Sequence, residues 1–254
     1  MCRHLAYLGA PVPLAELLLS PGNGLLTQSW APRRQRYGTV NADGFGVGWY
    51  ASGDPVPARY RRSIPIWADR SFADVARVTS SAAVLAAVRS ATWGMSLEES
   101  AAAPYACGPW LFSHNGRVEG WPDAVAALAA SIPASRLLAL EAQADSALLW
   151  ALVQERLDAG DPAADALARV VRDVAAVAGG RLNFLLTDGT RIAATAAGDT
   201  LFWREGSGNV VVASEPFDDG PGWHEVPDNC VLTATASTVD VRPIYNLTKE
   251  QVAP

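Results

Sequence analysis

The chain has 254 residues, half of them hydrophobic and 18% charged, with a formal net charge of −6 and an isoelectric point near 5.1. That balance suits one large globular domain, or at most two small ones. It gives no basic patch for nucleic acid: the densest basic segment, Arg33-Arg34-Gln35-Arg36, reads as a solvated loop. No apolar run is long enough to span a bilayer, and the start of the chain lacks a signal-peptide layout, so a cytoplasmic protein is expected. The three cysteines (Cys2, Cys107, Cys230) are scattered, and the three histidines (His4, His114, His224) show no metal-ligand spacing. No metal and no cofactor is therefore expected. Cys107 and Cys230 are expected to be buried and inert. Most of the nine tryptophans are expected in cores, although an indole is also a good face for a cation.

In chain order, residues 3–9 alternate like a short strand ending on a turn glycine, which puts Cys2 and His4 on one face. Residues 13–19 read as a turn or two of helix, and the polar stretch 30–43 as a long loop. Residues 44–51 form a strand with alternating glycines, which lets a backbone or ligand approach one face closely. Residues 58–63 are its partner strand and 70–80 a helix. Residues 83–89 are a buried strand ending on Arg89. Residues 109–114 are another apolar strand, ending in Asn115-Gly116. Helices are expected over 122–130, 144–159 and 163–178. Strands return over 182–187, 191–196, 200–204, 209–213 and 231–235, with turns at Asp188-Gly189 and 206–208. Residues 248–254 carry no pattern and read as a frayed tail. Strands, then helices, then strands argue for an α+β fold with layered antiparallel sheets.

Cys2 directly follows Met1. Removal of the methionine would leave a thiol and a free α-amine on one residue. Such an amine titrates at about 7.7–8.0, so its neutral form can take the thiol proton and make Cys2 a nucleophile with its own base. Taken alone, Cys2 also reads as a small apolar residue opening a strand.

Several segments could meet around it: Asn41-Ala-Asp-Gly-Phe-Gly-Val-Gly48, Val88-Arg-Ser-Ala-Thr92, His114-Asn-Gly116 and Ala144-Asp-Ser146. In this order, after Met1-Cys2, they resemble the glutamine amidotransferases with an N-terminal cysteine, which are Ntn hydrolases. The segments Met1–Gly9, Gln28–Pro32 and Asn41–Tyr50 are most similar to the ergothioneine-pathway amidohydrolases. The resemblance implies a four-layer αββα sandwich of two packed antiparallel sheets, spanning residues 2–247 as one domain. It implies hydrolysis of the γ-glutamyl amide bond of γ-glutamyl-hercynylcysteine S-oxide, a small-molecule substrate, through a thioester on Cys2. It assigns Asn115 and Gly116 to the oxyanion hole, Arg89 to the substrate α-carboxylate with Thr92 and Trp93 beside it, and Asp145 to the α-ammonium. Trp30 and Trp93, which lie in motif segments, are candidates for the trimethylammonium group of the leaving half. Oligomeric state is not legible.

Each residue has a plainer reading. Arg89 could form an ordinary ion pair, Asp145 could cap the helix at 144–159, and Asn115-Gly116 could be a hairpin turn. His4 and His114 read as structural, with a Cys2–His4 dyad ranked below the amine. Two departures bear on substrate. Amidotransferases that build amino sugars or nucleotides tend to carry His where Trp93 stands, and an Arg-Gly-Pro stretch where Asn41-Ala42 precedes Asp-Gly. No second domain follows that could use ammonia. The competing readings are a glutaminase subunit serving a separate synthase, and a non-catalytic binding scaffold.

Overall fold

The computed structural model describes residues 2–92 and 94–245. Met1, Trp93 and the tail read at 248–254 lie outside the described residues.

Strand β1 (Arg3–Pro13) leads into two short helices, α1 (Leu14–Leu18) and α2 (Leu25–Gln28). The stretch 30–43 is loop, as its polar sequence suggested, and precedes β2 (Phe45–Trp49) and β3 (Ala58–Arg62). Next come α3 (Arg70–Val78), opened by the Asp69 side chain accepting from the Phe72 N–H, and β4 (Ser80–Val88). Strands β5 (Tyr105–Cys107) and β6 (Trp110–Val118) form a hairpin. The helical middle holds α4 (Ala126–Ala129), α5 (Ala134–Leu138), α6 (Asp145–Asp158) and α7 (Ala163–Ala175). The last third contains β7 (Gly180–Thr187), β8 (Ile192–Ala196), β9 (Phe202–Gly206) and β10 (Asn209–Ala213). It closes with β11 (His224–Glu225), β12 (Cys230–Thr235) and β13 (Thr238–Pro243).

The strands form a seven-stranded sheet, β11-β9-β10-β1-β4-β2-β3, and a six-stranded sheet, β13-β12-β8-β7-β6-β5. The pairs within both are antiparallel. The sheets face each other through small and branched side chains: Ala6, Leu8, Leu85 and Val212 from the first meet Leu111, Leu185, Ala194 and Leu232 from the second. On the first sheet's outer side, Leu5, Tyr7, Phe45 and Val88 pack with α1 and α3. On the second sheet's outer side, Phe112, Phe184 and Leu186 pack with α6 and α7. The fold is thus α+β with four layers, αββα.

This layering explains the sequence pattern. β1 and β4 are central strands covered on both faces, so residues 5–8 of β1 and 83–88 of β4 are apolar without a break, and the alternation expected over residues 3–9 does not mark a solvent-facing side. In β1, His4, Ala6 and Leu8 look to the second sheet while Leu5 and Tyr7 look to the helices. Helix α6 buries residues 147–153 without a break because the second sheet, α4, α5 and α7 surround it.

The structure corrects several expectations. β6 runs through Asn115-Gly116 to Val118, so that pair is strand interior and not a hairpin turn. β5, β11, β13 and α5 were not expected; all are short or peripheral. Cys107 is exposed, at the end of edge strand β5, whereas Cys230 is buried as expected.

The alternating glycines of β2 do what their spacing suggested. A Cβ on Gly46 would drive into the Ala103 carbonyl oxygen, a backbone atom, while one on Gly48 would meet the Leu111 side chain at 2.6 Å. A side chain can rotate and a carbonyl cannot. Gly46→Ala is therefore expected to cost about 1–3 kcal/mol and to lower the melting temperature more than Gly48→Ala. Thermal unfolding of the two variants checks this, and equal losses would contradict it.

Candidate active site

The site forms where β1 and β6 face each other across the two sheets. Side chains on one face of a strand recur every second residue. Accordingly, His4 and Cys2 on β1 and its N-terminal approach meet Ser113 and Asn115 on β6. The His4 Nδ1 lies 3.1 Å from Ser113 Oγ. The Cys2 nitrogen, which becomes the α-amine once Met1 is removed, donates to Asn115 Oδ1 at 3.1 Å. The Cys2 thiol is partly exposed and its Sγ lies 4.0 Å from the Ser90 carbonyl oxygen.

Asn115 is fully buried, and with Oδ1 engaged by Cys2 its Nδ2 has no hydrogen-bond partner among the described residues. A buried amide N–H without a partner costs about 1–3 kcal/mol, which marks it as a donor held ready for something absent. Gly116 follows with φ +156°, and a Cβ there would overlap the Arg181 carbonyl oxygen of the paired strand β7. Only glycine fits this approach.

Arg89 lies just past β4 and is 8% exposed. Its Nη2 donates to the Ser96 carbonyl at 2.7 Å and its Nη1 to the Asp43 carbonyl at 3.5 Å. Among the described residues it pairs with no carboxylate, so the ordinary ion-pair reading does not hold. Asp145 is the first residue of α6 and is buried. Its Oδ2 accepts from the Val118 N–H at 3.0 Å and its Oδ1 from the Ser146 N–H at 2.7 Å. It is the first helical residue and not the cap that its plainer reading expected, since Ala144 stands at the cap position with no side-chain bond there; its bond to Val118 ties the helix to β6. Tyr105 stands between these groups. Burial pushes its hydroxyl above the ordinary value, Arg89 opposes the shift, and Asp145, Glu141 and Cys2 add to it.

Cys2, Arg89, Tyr105, His114 and Ser146 bound an enclosed cavity of about 20 Å³. A second, larger cleft of about 630 Å³ is lined by Thr92, Met95, Arg117, Val118, Glu119 and Trp121. The chain runs from one to the other twice, from Arg89 to Thr92 and along β6 from His114 to Arg117. Thr92 lines the larger cleft and not the cavity at the thiol. Trp30 does not line either space: it is 45% exposed and packs edge-on against Trp67, with centroids 5.7 Å apart.

One group escaped the sequence reading. Arg3, Asp199 and Glu215 are all buried with no side-chain exposure. Arg3 Nε donates to the Cys2 carbonyl at 2.8 Å, while its terminal nitrogens lie 3.5 Å from Asp199 and 3.9 Å from Glu215. Glu215 also accepts from the backbone N–H groups of Arg33 and Arg34, at 2.9 and 2.6 Å, and so anchors the long loop. The available signal was a charged residue inside an otherwise apolar central strand.

Both histidines beside the site are structural in geometry. The His4 ring meets Ser113 and not the Cys2 thiol. His114 Nε2 donates to the Arg181 carbonyl at 2.9 Å, which leaves Nδ1 to accept from Ser146 Oγ at 2.9 Å. Burial lowers the His4 pKa well below 6.5, and Arg3 and His114 add to that. Burial also lowers His114, with Asp145 opposing.

The fold and site define a class, and comparison with known proteins agrees. Residues 23–218 match the family model for class II glutamine amidotransferases. The chain belongs to that family. It is 44% identical to the γ-glutamyl-hercynylcysteine sulfoxide hydrolase of Mycolicibacterium smegmatis, over 96% of this chain and 100% of that one. The protein of the same name from Mycobacterium tuberculosis is also 44% identical, over 94% of this chain and 95% of its own length. Among solved structures, a class II glutamine aminotransferase domain protein from Silicibacter pomeroyi superposes with a TM-score of 0.70 at 25% identity, covering 96% of this chain and all of the other. The Bacillus subtilis glutamine phosphoribosylpyrophosphate amidotransferase shares the fold at 15% identity and a TM-score of 0.63. This chain covers 96% of its own length there but 49% of that larger enzyme.

The depressed histidines set a pH dependence. An unfolded chain binds protons at His4 and His114 near pH 6.5, which the folded chain refuses. Stability is therefore full above about 6.5 and falls as pH drops toward the folded values, by up to about 1.4 kcal/mol per pH unit for each histidine. Melting temperatures between about pH 7.5 and 5 should fall, and His114→Asn should flatten the decline. An unchanged slope in that variant would remove His114 from the account.

Proposed function

We propose that this chain hydrolyses the γ-glutamyl amide bond of γ-glutamyl-hercynylcysteine sulfoxide, releasing glutamate and hercynylcysteine sulfoxide. The observation that carries the chemistry is the bond from the Cys2 nitrogen to Asn115 Oδ1, which leaves Nδ2 of the same amide as a buried donor without a partner. The substrate comes from the near full-length similarity to hydrolases of that name.

In this reading, removal of Met1 frees the α-amine, which takes the thiol proton. The thiolate adds to the γ-carbonyl, and the oxyanion is met by Asn115 Nδ2 and the Gly116 N–H. The ammonium returns its proton to the leaving nitrogen, the C–N bond breaks, and a thioester remains. Water, deprotonated by the same amine, attacks the thioester; the intermediate collapses to glutamate and the thiol. Arg89 matches the α-carboxylate of the glutamyl group with its planar fork. Asp145 holds the α-ammonium, and Thr92 adds a hydrogen bond to the carboxylate. Arg89 lines the cavity beside Cys2, and Asp145 precedes Ser146, which also lines it. No step needs a metal or cofactor. No helix of the described residues is long and apolar enough to cross a membrane, which accords with a cytoplasmic enzyme.

A glutaminase reading has support in the family name, and the substrate assay separates the two. Cys2→Ala is expected to abolish glutamate release from γ-glutamyl-hercynylcysteine sulfoxide while leaving the unfolding transition in place. Asn115→Ala is expected to lower kcat by roughly 10²–10³, as for removal of other oxyanion donors. Turnover surviving in the Cys2 variant would eliminate the nucleophile. A preference for glutamine in the trimmed wild type would favour the glutaminase.

A further inference from the structure

Along the face of β6 that carries the site, Ser113 meets His4 and Asn115 meets Cys2. The next residue on that face, Arg117, lines the large cleft and has no β1 residue opposite it. Two residues further, Glu119 lines the same cleft, and Trp121 closes it. From Asn115 to Glu119 is about 13 Å at the rise of an extended chain. A leaving group made of two amino-acid residues joined through their side chains covers a comparable distance.

The chemistry at the far end of this cleft is mixed in a particular way. Arg117 and Glu119 stand 3.8 Å apart and are both about half exposed, at 47% and 55%. The pair is wet, and such pairs add little to stability. Glu119 is nonetheless held in place: its N–H donates to the Gly179 carbonyl at 2.9 Å. Its carboxylate lies against Gly179, 2.5 Å from where a Cβ would stand. Trp121 is half buried against the helical core on one side and faces the cleft on the other. A cation, an anion and an indole side by side are the complement of a betaine. A quaternary ammonium has no N–H to donate, so it is recognised by an aromatic face and a nearby carboxylate. The adjoining carboxylate of the betaine suits a guanidinium.

We infer that this cleft is the leaving-group subsite, in which Trp121 and Glu119 receive the trimethylammonium and Arg117 the carboxylate of the hercynyl end. The inference rests on the hydrolase reading above and adds residues that it does not need. It moves recognition of the quaternary cation from Trp30, which packs on Trp67, to the other side of the site.

The test is a discrimination ratio: kcat/KM for γ-glutamyl-hercynylcysteine sulfoxide divided by kcat/KM for γ-glutamylcysteine, which lacks the betaine. The ratio does not depend on the fraction of enzyme that is active, so a poorly folding variant still reports. Trp121→Leu is expected to lower it about tenfold or more, the scale of a desolvated cation–π contact. Trp121→Phe, which keeps an aromatic face, should lower it less. Glu119→Gln should lower it with the charge alone. An unchanged ratio in Trp121→Leu overturns the subsite, and an unchanged ratio in Glu119→Gln removes the carboxylate from it. The wild type is measured first. If it releases no glutamate from the larger compound, the hydrolase reading itself fails, and that result is distinct from a wild type that discriminates and a variant that still does.

Discussion

A buried guanidinium organises this molecule. Arg3 has no exposed surface, and neither do the two carboxylates beside it, Asp199 and Glu215. Removing three charges from water costs several kcal/mol each even after relaxation, and a group like this survives only if its members remain together. Here the members come from distant parts of the chain. Arg3 opens β1, Asp199 lies in the β8–β9 turn, and Glu215 follows β10. Glu215 in turn holds the backbone of Arg33 and Arg34, and Asn23 through its side-chain amide at 3.0 Å. The same guanidinium donates to the carbonyl of Cys2. Cys2 is thus fixed from behind by an ion group that cannot be loosened without leaving a buried charge unpaired. Replacing one member removes its partners' compensation, so the cost exceeds the worth of any single contact in it.

The front of Cys2 is fixed by sheet geometry. Strands β1 and β6 belong to different sheets, yet their period of two residues matches across the interface. His4 reaches Ser113 and Cys2 reaches Asn115. The site is one further step of a regular packing, which is why its groups sit on rigid elements and not on loops. The same regularity imposes Gly116, because the Arg181 carbonyl of the neighbouring strand occupies the space of a side chain. The backbone that favours glycine here is set by strand pairing. The oxyanion role proposed for it uses a donor that this pairing already orients.

How much of this was legible follows from what each element owes to its neighbours. β1, β2, β4, α6 and α7 are long or covered on both sides, and their patterns declare them. β5, β11 and β13 are short edge elements whose residues are defined by the strand beside them, and no local pattern marks them. Asn115-Gly116 has the composition of a hairpin turn, and only the approach of Arg181 shows why a glycine sits in mid-strand. Cys107 was expected to be buried on composition, but the edge position of β5 exposes it. Cys2, Asn115, Gly116, Arg89 and Asp145 were singled out through the order of their motifs, which survives in sequence. The Arg3 group was not, because Asp199 and Glu215 lie about two hundred residues away and carry no motif. Trp30 lies in a motif segment but packs on Trp67, and motif membership says nothing about which way an indole faces.

Asp145 shows how a residue expected to cap a helix is used otherwise. A carboxylate offers about four lone-pair sites. Two are taken by the Val118 and Ser146 N–H groups, and the Ser146 hydroxyl lies 3.3 Å away. That leaves capacity for an ammonium without disturbing the start of α6. The bond to Val118 has a further consequence, because Val118 lines the large cleft. The carboxylate proposed to hold the glutamyl ammonium also fixes the end of the strand that carries Arg117 and leads into Glu119. On that proposal the two halves of the substrate are read from one backbone, and a shift of α6 would move the proposed glutamyl pocket and the cleft together, keeping the scissile bond in register with the thiol.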